Sequence, residues 1–183
     1  MSAPLSTARD PFEYHVARVL ILVAAFSTGA KGRLDGLTKL AKLDFLLRYP
    51  SYLEQVLDER GKPLAPTLRP SPEERLALES AMIRYKYGPW DSRYYPVIGR
   101  LIGQGLVEPV DGAGSVALRV TAAGRDTVEA LSGTGWEAVI GRARALKRGL
   151  DLSGTSLQKL IYRSFPEALD RPWRAKIEEA AAS

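Results

Sequence analysis

The sequence contains no cysteine, which excludes disulfides, thiolate metal sites and cysteine nucleophiles together and suits a reducing compartment. Histidine is nearly as scarce, His15 being the single one. A nucleophilic triad needs a base that titrates near neutrality, and a lone histidine at the start of an apolar helix is expected to be structural. With one imidazole and no thiol, zinc would have to be held by carboxylates, and the acidic residues are scattered. Long hydrophobic runs are also missing: the most apolar stretch, Val16 to Phe26, is interrupted by Arg18 and is far shorter than the roughly 20 residues that span a bilayer. Asp10 and Glu13 stand where a signal peptide would carry basic residues. These absences predict a cytoplasmic, non-enzymatic protein with no metal, no cofactor, no small-molecule substrate and no membrane partner.

What is present is ordinary globular material. A chain of 183 residues with 45% hydrophobic and 26% charged side chains is long enough for one real core. The formal net charge of +5 favours polyanions without requiring them, and no region is a basic tail. Gly29, Gly32 and Gly36, or Gly112 and Gly114, lack the lysine and hydroxyl that a phosphate loop sets at fixed offsets.

Punctuation and periodicity predict mostly helices. Asp10-Pro11 opens one to about Ser27 that is apolar nearly all round and therefore central. Leu40, Leu43, Leu46 and Leu47 stripe a second helix ended by Pro50, with Lys39, Lys42 and Arg48 expected outward. Ser51 and Glu54 have capping-box spacing for a third that ends near Gly61, and residues 61–71, with three prolines, read as a dispensable extended connection. Ser71, Pro72 and Glu74 mark a helix start, and the helix is expected to reach about Ile83. After an aromatic Tyr-Gly-Pro turn, Asp91 or Ser92 caps a helix to Gly103. Leu106-Val107, the glycine loop at 111–114 and Val116 to Val120 then form a two-stranded wing with Val116, Leu118 and Val120 facing one way. Thr121 caps a helix to Leu131, a longer one runs from Trp136 to Leu150, and Thr155 starts the last. The expected fold is mainly α with a small β-wing, a winged helix-turn-helix with additional C-terminal helices. A winged-helix domain would occupy 1–132 and a helical extension on the same core 133–183.

Two surfaces are candidates for contact. In the long helix Arg142, Arg144, Lys147 and Arg148 point away from the apolar stripe of Trp136, Val139, Ile140, Ala143 and Leu150, giving a basic face for an acidic or phosphate-bearing partner or for solvent alone. Arg93 and Arg100 are secondary contacts on the helix before the wing. Tyr85, Tyr87, Trp90, Tyr94 and Tyr95, beside Arg84, Lys86 and Arg93, either stack on bases or, more often for such turns, fasten a helix to its domain. A helix and wing commonly read DNA, yet this helix offers few base-reading side chains and the wing tip carries Asp111 and no cation.

The run Leu37-Thr-Lys-Leu-Ala-Lys-Leu-Asp-Phe-Leu-Leu, the turn Tyr85-Lys-Tyr-Gly-Pro-Trp, Gly105-Leu-Val-Glu108 and Thr121-Ala-Ala-Gly124 together resemble prokaryotic winged-helix proteins. With Trp136 to Phe165 added, including Ser153-Gly-Thr155 and Leu160-Ile-Tyr162, the chain resembles the middle component of ABC three-component systems, the group that includes Lamassu-type antiphage defence. The resemblance implies a non-catalytic accessory subunit that bridges an ATPase like those of structural maintenance of chromosomes (SMC-like) and an effector nuclease, with nonspecific DNA contact through basic side chains. The acidic wing tip departs from direct DNA contact by the wing. Two other readings stay open: a dimeric winged-helix transcriptional regulator, and an antitoxin-like module that masks a toxic enzyme.

Overall fold

The computed structural model describes residues 11–76, 82–85, 88–166 and 176–177; among these the chain is mostly helical with two small three-stranded antiparallel sheets. It divides into two compact units, each built from two stretches of chain. The first combines the described residues up to Leu37 with Ser92–Arg144; the second combines Thr38–Asp91 with the described residues from Ala145 onward. The boundary expected at 132/133 falls inside the first unit.

In the first unit, α1 (Pro11–Phe26) packs against α5 (Tyr94–Gly103), β5 (Val116–Val120) and α6 (Ala122–Leu131). Val19, Leu22, Val23 and Phe26 are wholly buried, as its nearly all-round apolar sequence requires. Asp10, the expected cap, lies outside the described residues. The sheet has the order β1 (Leu34–Asp35), β5, β4 (Val107–Asp111), with Leu34 opposite Leu118 and Val107 opposite Val120. Leu118 and Val120 are buried, but Val116 is 65% exposed, against the expected common face. The cause is length: β1 covers β5 only at Leu118 and Ala117, so Val116 projects beyond the three-stranded part.

Thr121 caps α6 as expected, its hydroxyl accepting from the Gly124 amide at 3.0 Å. Gly124 is there for space: a Cβ on it would lie 2.1 Å from the Leu106 carbonyl oxygen and 2.6 Å from Val120 Cγ2. Because the carbonyl is backbone, Gly124→Ala must push α6 off the hairpin and should cost about 1–3 kcal/mol. Urea unfolding checks this, and an unchanged midpoint would refute the close approach. After α6, Trp136 is buried and stacks on Tyr14 with ring centroids 4.9 Å apart, and α7 (Glu137–Leu150) starts in this unit and ends in the other.

The second unit is organised by α2 (Leu37–Arg48), which is buried at every position from Lys39 to Arg48. Lys39, Lys42 and Arg48 are therefore not outward, as the stripe of leucines predicted, but inside. α3 (Pro50–Glu59) starts on Pro50 itself, with Tyr49 at the cap position; proline's fixed φ suits a first helical turn, so Ser51 lies within the helix. Phe45, Tyr49, Tyr52 and Phe165 form one aromatic cluster, closest between Tyr52 and Phe165 at 4.2 Å. The connection at 61–71 is anchored, with Leu64 buried and the Arg60 and Lys62 side chains donating to the Gly149 and Arg148 carbonyls.

α4 (Pro72–Leu76) has the reciprocal box its sequence announced: Ser71 N donates to Glu74 Oε2 at 2.9 Å and Glu74 N to Ser71 Oγ at 3.1 Å. The helix expected as far as Ile83 does not include Met82 and Ile83. They belong to β2 (Met82–Tyr85), which pairs with β3 (Gly88–Trp90) and with β6 (Lys176–Ile177), a tertiary demand that overrides local helical patterning. The last helix, α8 (Gly154–Ser164), is capped by Ser153, whose hydroxyl accepts from Ser156 N at 3.1 Å, rather than by Thr155.

Candidate partner-binding surface

The surface of the first unit next to the wing is built on α5. Its sequence alternates what packs and what does not at helical spacing: Tyr94, Val97 and Leu101 are buried, whereas Tyr95, Pro96, Gly99, Arg100, Ile102 and Gly103 are exposed. Tyr94 lies against the His15 ring at 5.7 Å, so it fastens the helix, while Tyr95 is 65% exposed. The side chains of Tyr85, Tyr87 and Trp90, with those of Arg84 and Lys86, lie outside the described set. Arg93 is half-buried at the α5 cap position, and Arg100 forms an exposed ion pair with Glu13 at 3.1 Å.

The wing adds no base-reading group. Arg119 is tied across the hairpin to Glu108 at 2.8 Å, and the loop between β4 and β5 is made of Gly112, Ala113, Gly114 and Ser115. The Gly114 amide folds back on the Gly112 carbonyl at 2.9 Å, and Gly112 leaves no room for a Cβ, which would sit 2.3 Å from the Ser115 carbonyl. The result is a short, tight tip that carries the exposed Asp111 and no cation, beside an α5 face that is apolar, small and lightly charged.

The four cations assigned to α7 do not form one face. Arg144 and Arg148 are exposed, but Arg142 is only 3% exposed and so is withdrawn from any basic surface. Lys147 donates to Asp151 at 2.6 Å one turn on, with 19% of its side chain accessible. What the leucine stripe of α2 hid is a buried charged set in the second unit. Arg48 donates to Asp91 Oδ2 at 2.9 Å and lies 3.9 Å from Asp44, all three being buried. Lys39 donates to Asp151 at 2.7 Å. Lys42 is 1% exposed, its one hydrogen bond being a 3.5 Å contact to the Thr38 carbonyl of its own helix. Burial pushes the Lys42 ammonium down to about 8.

One sequence signal could have found this set. At about 100° per residue Asp44 is roughly 140° round the helix from Lys39, so the charges of α2 occupy two sides and leave no polar face. The buried His15 has a different setting: its Nδ1 accepts from Arg18, whose guanidinium lies 5.5 Å over the Tyr14 ring. Among the described residues no three acidic or imidazole groups converge as a metal site, and no helix is long and apolar enough to cross a membrane. No protein-family model, curated protein or solved structure matches the chain.

Proposed function

We propose that the first unit is a winged-helix module used for protein contact, and that the chain is a non-catalytic accessory subunit bridging an SMC-like ATPase and an effector nuclease in an antiviral defence complex. The winged-helix reading is supported by the order α1, β1, α5, β4, β5 along the chain and by the sheet order β1-β5-β4, which lays the hairpin beside the first strand. The observation that carries the protein-contact reading is the face of α5. Where a DNA reader presents arginine, lysine, asparagine or glutamine to base edges, this helix presents Tyr95, Pro96, Gly99, Ile102 and Gly103, with Arg100 occupied by Glu13. Aromatic and aliphatic side chains around glycines suit a close-packed protein partner. The identity of that partner as an ATPase rests on the sequence resemblance.

A DNA-binding regulator is the second reading, favoured by the exposed Arg144 and Arg148, which could hold phosphates without reading sequence. A tagged pull-down from the native host at moderate salt, with and without nuclease, separates the two. The complex reading expects a coiled-coil ATPase and a nuclease-like protein in both samples. A result in which every specific partner disappears on nuclease treatment overturns it in favour of DNA binding, and the double variant Arg144→Glu/Arg148→Glu should then lose binding with a strong salt dependence.

A further inference from the structure

Two glycines of α5 have no use inside the chain. Gly99 stands in the middle of the helix, where glycine is the poorest helix former after proline. Neither Gly99 nor Gly103 has a positive φ, and a Cβ on either would meet nothing within 4 Å. Gly112 and Gly124 differ, because their missing Cβ makes room for backbone of the same chain. What the bare backbone at 99 and 103 makes room for lies outside.

Beside the glycines runs an apolar ridge. Among the described residues three large apolar side chains are exposed, and two of them, Tyr95 and Ile102, lie on α5. With the half-buried Ile98 between them, they follow at i, i+3 and i+7 and share one side of the helix. Gly99 and Gly103 sit about 40° and 80° further round from Tyr95, so a furrow lies alongside the ridge. The two are also matched in length. Gly99 is four residues, about 6 Å, from Tyr95 on one side and from Gly103 on the other. An antiparallel crossing of two such helices about a two-fold axis at Gly99 sets Tyr95 of each over Gly103 of the other, with ridge in furrow twice.

Charge favours the same occupant. The chain carries a net +5, yet the charged side chains exposed on this face are Arg100 and Glu13, paired at 3.1 Å and each about half exposed. A strongly acidic or basic partner would meet no excess of opposite charge here. A second copy brings Glu13 toward Arg100 and Arg100 toward Glu13, so every charge is answered whether the pairs stay within copies or exchange between them.

We infer that the α5 face of the protein alone is closed by a second copy of the chain, in a reversible two-fold dimer centred on Gly99. The inference rests on the reading of this face as a protein-contact surface and adds its regulation: another protein reaches α5 only by displacing the second copy, so assembly competes with self-association.

The test is sedimentation of the full-length protein from about 1 µM to about 1 mM, a span that covers weak self-association. A monomer-dimer equilibrium is expected. Gly99→Glu sets two carboxylates against each other at the axis and should dimerise at least tenfold more weakly. Its Cβ enters open space, so it should stay folded, melting in dilute solution no lower than the parent. Tyr95→Ser should weaken the dimer as well. Because the chain has no cysteine, Gly99→Cys gives a clean probe of the axis: a disulfide requires Cα atoms within about 7 Å, so mild oxidation should link two copies through position 99 and not through the exposed α6 position in Glu129→Cys. A chain that stays monomeric, a dimer untouched by Gly99→Glu, or linkage no faster at 99 than at 129 overturns the inference. The pull-down described above fails separately: recovery of an ATPase by a monomeric chain refutes self-association alone, and a dimer centred on Gly99 upholds it even where no ATPase is recovered.

Discussion

Arg48→Met is expected to lower the unfolding free energy by about 3–5 kcal/mol, the usual loss when one member of a buried ionic set is removed. The guanidinium donates to Asp91 at 2.9 Å and stands 3.9 Å from Asp44, and none of the three side chains is more than 7% exposed. Methionine fills much of the same volume, so packing loss is small and the effect is electrostatic: two carboxylates in one buried region lose the cation between them. The loss should show as a lower urea midpoint with an unchanged slope. The double variant Arg48→Met/Asp91→Asn should recover part of it, because one of the stranded charges is gone. A single variant as stable as the parent would mean that Arg48 does not hold these carboxylates in solution.

Lys42 is expected to act in the opposite sense. Its ordinary value near 10.5 is lowered by burial to about 8 in the folded chain, so between those two values the unfolded chain binds more protons than the folded one. Stability then rises with pH across that window. Below about pH 8 the cost of the buried ammonium is fully present, and it is relieved as pH climbs toward 10.5. The whole effect amounts to about 3 kcal/mol at most. Lys42→Met has no proton to lose, so it should be more stable than the parent at pH 7, and the two melting curves should converge as pH rises. Other lysines and the tyrosines titrate in both proteins, so the difference between them isolates Lys42. A gap that does not narrow between pH 8 and 10 would place the ammonium in solvent.

Features fixed by neighbours in the chain were legible without a structure. The Ser71 to Glu74 box, the Thr121 cap and the hairpin of β4 and β5 each depend on a few consecutive residues whose chemistry leaves one convenient arrangement. Features decided by distant stretches were not. β1 is two residues long and exists because β5 pairs with it, and Met82 and Ile83 become a strand through β3 and β6. The candidate surface divides in the same way. Exposure of Arg144 and Arg148 followed from helical period, whereas the burial of Arg142, Lys39 and Lys42 could not be read from a stripe that showed which side is apolar but not how many sides are covered. Cation side chains also carry long apolar stems that pack as readily as leucine, which is why a lysine-leucine helix passes for amphipathic.

The way each unit draws on two separated stretches bears on how the chain reaches its native state. The second unit needs both Thr38–Asp91 and residues beyond Ala145, so during synthesis its first stretch leaves the ribosome long before the strand and helix that complete it. Contacts between such distant stretches form slowly, because the closure entropy of the intervening chain comes before any reward. The leucines of α2 and the aromatic rings of Phe45, Tyr49 and Tyr52 therefore wait uncovered until α8 and Phe165 arrive. In that interval the lysines spaced among those leucines have a use that the finished fold conceals: they keep an orphaned apolar helix soluble and apart from its own kind.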